Sequence, residues 1–138
     1  MSALSTLYSS IFARLTNDPI WSDRVYPDMV PANKIRPYVV YFITAGGESN
    51  TLKKDDAEFI IAVKCVSTKL SESLSGSSRI SELLNNQGSQ DSGLVSGDSD
   101  WIIKTITQGR VIQDVEMIKN SIPLYNSGQM FRITMEKK

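Results

Sequence analysis

Two stretches decide the fold: Pro37-Tyr-Val-Val-Tyr-Phe-Ile-Thr44 and Ala57-Glu-Phe-Ile-Ile-Ala-Val-Lys-Cys-Val66. The first is rich in β-branched and aromatic residues and too short for an ordinary helix, which predicts a central strand covered on both faces. The second alternates, with Phe59, Ile61, Val63 and Cys65 on one face and Glu58, Ile60, Ala62 and Lys64 on the other, as a strand requires. Between them, Ala45 to Asp56 is polar and turn-rich, so the two strands read as an antiparallel hairpin with a long, flexible, projecting tip.

Upstream, Leu4, Leu7, Tyr8, Ile11, Phe12 and Leu15 recur at helical spacing, with Ser2 placed to cap the first free amides. Asn17-Asp18-Pro19 ends this helix, because proline lacks an amide hydrogen and biases the preceding residue away from helix. Pro27, Pro31 and Pro37 punctuate a connector over 21–36, in which Val25-Tyr26-Pro27 reads as a short extended piece.

Downstream, Ser67 or Thr68 begins a second helix whose apolar stripe is Leu70, Leu74, Ile80, Leu83 and Leu84. Gly76 and Ser77 weaken its middle, glycine costing about 1 kcal/mol against alanine. Residues 85–100 are mostly Asn, Gln, Gly, Ser and Asp, which predicts a flexible loop. Trp101 to Gln108 restores a strand pattern, Gly109-Arg110 permits a turn, and Val111 to Ile118 follows as a possible hairpin partner. The last segment, Ile122 to Tyr125, leads through an Asn126-Ser-Gly128 turn into a half-exposed strand with Phe131, Ile133 and Met135 inward. The sum is an α/β (α+β) chain: two helices on a mostly antiparallel sheet, one domain over 1–138.

At 138 residues the chain has room for one sizeable core and no second domain. No apolar run approaches the length of a membrane span, and the start lacks the pattern of a signal peptide, so intracellular synthesis is expected. Fifteen basic and fifteen acidic residues balance, which gives no support to binding a phosphate backbone. The sequence has no histidine and one cysteine, Cys65, which reads as a buried hydrophobe. The usual general base and a Cys/His zinc site are thereby removed.

Carboxylates remain, but neither Asp55-Asp56-Glu58 nor Asp98 with Asp100 has the spacing of a calcium loop. Gly46-Gly47 lacks the rest of a phosphate-binding motif, and Tyr38, Tyr41 and Phe42 beside Lys34 and Arg36 fit core packing better than base stacking. The residues therefore point to no catalytic group, no cofactor and no metal.

The order of elements is more informative. The N-terminal helix, Val25-Tyr26-Pro27, Pro37-Tyr38-Val39-Val40-Tyr41, the polar tip and the strand entering a second helix together resemble the tail-completion, or tail-terminator, proteins of long-tailed (siphophage or myophage) bacteriophages. The resemblance covers about residues 1–84 and returns at Met130-Phe-Arg-Ile-Thr-Met135; residues 85–99 match nothing in it.

It implies a virion protein that assembles with itself as a ring, usually a hexamer, on the head-proximal end of the tail. Such a ring ends tube polymerisation and offers a joining surface to a head-tail connector or neck protein, with the tail-tube protein below. Assembly would take place in the host cytoplasm, without membrane or direct nucleic-acid binding. A ring subunit works through surfaces, so the residues expected at a subunit or tail-tube interface are those of the tip: Glu48, Lys53, Lys54, Asp55 and Asp56. The alternatives are a connector or tail-tube subunit and, from other classes, a small nucleic-acid-binding module or a carboxylate enzyme.

Overall fold

A computed structural model describes residues 2–31, 34–48, 56–85, 101–118 and 122–137. In chain order its elements are α1 (Ala3–Thr16), β1 (Val25–Pro27), β2 (Tyr38–Glu48), β3 (Asp56–Ser67), α2 (Leu70–Leu84), β4 (Trp101–Ile118) and β5 (Ile122–Lys137). The strands form one sheet in the order β1-β2-β3-β5-β4. Only β1 runs parallel to its neighbour; the other pairs are antiparallel. This is the two-helix, mostly antiparallel α+β arrangement that the sequence predicts.

β3 takes the centre because it is apolar on both faces. Ala57, Phe59, Ile61, Val63 and Cys65 point into the main core, while Ala62 and Val66 are buried on the other side. β2 is less completely covered. Val39 and Tyr41 join the main core, but on the opposite face only Val40 is buried, in a small cluster with Val66 and Leu124. Phe42 is half-buried. β2 continues to Glu48 across an irregularity between Ile43 and Ala45, and β3 begins at Asp56. Residues 45–48, expected in the tip, are therefore strand, and residues 49–55 lie outside the described residues. So do residues 86–100 of the expected second loop.

Two predicted turns are absent. Gly109-Arg110 sits in a bulge between Gln108 and Val111, so residues 101–118 are one strand, all of it beside β5. Asn126-Ser-Gly128 is likewise mid-strand, and the chain reverses between Ile118 and Ile122. Pairing on both sides explains the second case, since Asn126, Ser127 and Gly128 lie between β3 and β4. A Cβ on Gly128 would stand 2.0 Å from the Val63 carbonyl oxygen, so only glycine fits this close approach.

Both helices lie on one face of the sheet. Ser2 caps α1 as predicted, its Oγ accepting from the Ser5 amide at 3.1 Å. Leu7, Ile11 and Leu15 are buried, whereas Leu4 and Phe12, placed on the same stripe by spacing, are exposed. In α2 the buried residues are Ser73, Gly76, Ser77, Ile80, Leu83 and Leu84, and the predicted stripe members Leu70 and Leu74 face solvent.

Hydrogen bonding accounts for that rotation. Ser73 Oγ lies 3.1 Å from the Cys65 carbonyl and 3.2 Å from that of Tyr125, while Gln129 Nε2 donates to Ser77 Oγ at 2.7 Å. Ser67 Oγ accepts from the Lys69 amide and donates to Glu72, organising the entry to α2 although Lys69 occupies the cap position.

Candidate assembly surface

Of the five tip residues, Glu48 ends β2 opposite Ala57, and Asp56 opens β3, exposed and opposite Glu136. Lys53, Lys54 and Asp55 lie outside the described residues. The strand ends thus bring Glu48 and Asp56 to the same end of the sheet.

Beside them the sheet face away from the helices carries a polar ladder. Arg132 contacts Glu58 at 2.7 Å, Lys104 contacts Glu136 at 3.2 Å, and the hydroxyls of Thr105 and Thr134 are 2.5 Å apart. Gly47, Asp56, Glu58, Lys104 and Glu136 line an open hollow of about 480 Å³ there. Exposed ion pairs of this kind contribute roughly 0–1 kcal/mol each, so they shape a docking face more than they hold the fold. Among the described residues no group of three carboxylate or thiol side chains converges as a metal site.

At the other edge of the sheet, α1 is pinned to the strands. Tyr8 Oη donates to Asp28 Oδ1 at 2.6 Å, and Tyr41 Oη donates to the Tyr8 carbonyl at 3.1 Å. Asp28 adopts a left-handed φ of 63° and sends its amide to the Tyr41 carbonyl at 2.8 Å, so its backbone and its side chain serve the same junction. Burial, then the hydrogen bond to Asp28, raises the Tyr8 hydroxyl above its usual range. Burial raises Tyr41 as well. Both phenols stay protonated and act as donors. The Cys65 thiol is buried as predicted, and burial pushes it up to about 12, which leaves it unreactive near neutrality.

The two sheet edges differ. β1 is three residues long and ends in Pro27, which has no amide to donate. β4 spans eighteen residues, and no described strand pairs with its outer side. Its first half is buried at Trp101, Ile103 and Ile106, but α2 packs on β3 and β5 and leaves the second half bare, with Val111, Val115 and Met117 exposed. Sequence reasoning assigned this segment to a hairpin. Val111, Gln113, Val115 and Met117 alternate along the strand and share the face on which α2 sits.

No protein-family model matches the sequence, and no curated protein matches it. Among solved structures the chain is similar to one in the virion of a native gene transfer agent (GTA) particle. The two share 13% identity with a TM-score of 0.64, and the match covers 94% of each chain. At that identity the likeness is one of fold, extending over nearly the whole of both chains.

Proposed function

We propose that this chain is a structural virion protein, not an enzyme, and that its particular role is that of a tail terminator. In this reading copies assemble into a ring, a hexamer, on the head-proximal end of a phage tail, stop growth of the tail tube, and present a face to a connector or neck protein. The observation that carries it is the fold shared across 94% of both chains with a virion component. The order of elements that resembles tail-completion proteins, and the scarcity of catalytic side chains in a sequence without histidine, support the same reading.

The tip residues Glu48, Lys53, Lys54, Asp55 and Asp56 are assigned to contact with the tail tube or a neighbouring subunit. Electron microscopy of the purified protein tests the role. Rings that stop at one or two layers support a terminator; long stacked tubes point to a tail-tube subunit; particles without rings overturn the reading. Lys53→Glu with Lys54→Glu tests the site, since rings that join tails as well as the unmodified protein would remove the tip from the interface.

A further inference from the structure

The bare half of β4 has a counterpart elsewhere in the chain. Along β4, Asp114 and Glu116 lie on one face of the sheet, while Val115, between them, lies on the other with Val111 and Met117. Neither acid makes an ion pair among the described residues: Asp114 accepts from the Val115 amide, and Glu116 accepts from Asn126 Nδ2 at 3.4 Å. Val111 is 71% exposed and Met117 64% exposed, with Leu70 and Leu74 of α2 bare on the same side of the sheet.

Lys34-Ile35-Arg36, which leads into β2, is entirely exposed, with Ile35 at 71%. Neither of its cations makes an ion pair among the described residues. In extended form this triplet places two cations on one face and an isoleucine on the other, the complement of Asp114-Val115-Glu116 in both charge and apolarity.

Position fits as well. Tyr38 pairs with Val66, Ser67 with Tyr125, and Tyr125 with Val115, so the triplet and the bare part of β4 belong to the same end of the sheet. They lie toward opposite edges, which is the layout a head-to-tail contact between identical chains requires and one that closes into a ring if the rotation allows. The symmetric alternative, β4 against β4 of another copy, sets Asp114 against Glu116 in a register centred on Val115 and is opposed by like charge.

We propose that the open edge of β4 over Val111–Met117 is the seat of a second copy of this chain, which adds its Lys34-Ile35-Arg36 segment there as an extended strand. This rests on the ring reading and names the contact that builds the ring. Main-chain hydrogen bonds to the open edge supply affinity, and the alternating side chains set register.

The test uses three variants of the full chain: Asp114→Lys with Glu116→Lys, Lys34→Glu with Arg36→Glu, and all four changes together. All sites are exposed, and far-UV circular dichroism checks that each variant folds. Native mass spectrometry over a concentration series is expected to show each charge-reversed pair dissociating at least about tenfold more readily than the unmodified protein, with assembly restored when the two are combined. Unchanged assembly of both pairs overturns the proposed contact while leaving the ring reading in place. Dissociation of both pairs without restoration in the combined variant also overturns it. An unmodified protein that stays monomeric overturns the contact and the ring together, and gives the β4 edge to some other partner.

Discussion

Arg79 Nε donates to Asp18 Oδ2 at 2.6 Å, joining the turn after α1 to the outer side of α2 across sixty-one residues of sequence. The Asp18 side chain is 1% exposed, and its carboxylate also accepts from the Ile20 amide at 3.1 Å. A buried carboxylate with a charged partner and a local amide is a junction whose loss is felt on both sides. Asp18→Asn should therefore lower stability by about 1.5–3 kcal/mol, the range for hydrogen bonds to charged groups. Arg79→Ala should cost more, because it leaves the buried carboxylate without its cation. Urea denaturation of both variants checks the order; equal stabilities to the unmodified protein would refute the junction.

Gly76 provides a second case. A Cβ there would stand 2.3 Å from Cys65 Sγ and 3.2 Å from the ring of Trp21. Gly76→Ala gains about 1 kcal/mol in helix propensity but forces a close-packed contact apart at about 1–3 kcal/mol, so the net effect should be destabilising. Leu74→Ala, on the bare side of the same helix, should change stability by no more than about 0.5 kcal/mol. Thermal melts of the pair distinguish a helix held by close approach from one held by its leucines.

Gly128 should be the least replaceable residue in β5. Its absent side chain makes room for the β3 backbone at Val63 and Lys64. Gly128→Ala should reduce the yield of folded protein sharply, whereas Gly47→Ala, with nothing near its added methyl, should not. Soluble expression and circular dichroism of the two variants measure the contrast.

The buried thiol has a pH consequence. Its folded value of about 12 lies above the ordinary 9.0, so the unfolded chain loses this proton first as pH rises. The stability it contributes is complete below about pH 9 and declines toward pH 12. Tyr41, also raised by burial, adds to the alkaline decline. Stability measured from pH 7 to 11 should be flat and then fall, and Cys65→Ala should flatten part of that fall while lowering the neutral value by about 1 kcal/mol.

What was legible in the sequence follows from where local pattern and tertiary demand agree. β3 could be read because Phe59, Ile61, Val63 and Cys65 alternate, β2 because Tyr38 to Ile43 is a short run of β-branched and aromatic residues, and α1 because Ser2 and Asn17-Asp18-Pro19 mark its limits. The face of α2 could not, because it is buried through Ser73, Gly76 and Ser77, held by hydrogen bonds and close approach rather than by apolar area. Gly109 and Gly128 carried turn chemistry that pairing to neighbouring strands overrode. The exposure of Val111, Val115 and Met117 depends on where α2 stops, a long-range fact that spacing does not encode.

β5 follows every other strand in sequence yet lies between β3 and β4 in space. β2 and β3 are neighbours in both sequence and sheet, so their ladder needs no later segment, but β4 has no described partner other than β5 and must wait for it. The sheet is therefore finished by one late insertion. Until it occurs the inner edge of β3 is open to the wrong strand, which places the vulnerable interval for misassembly between the making of β3 and the docking of β5.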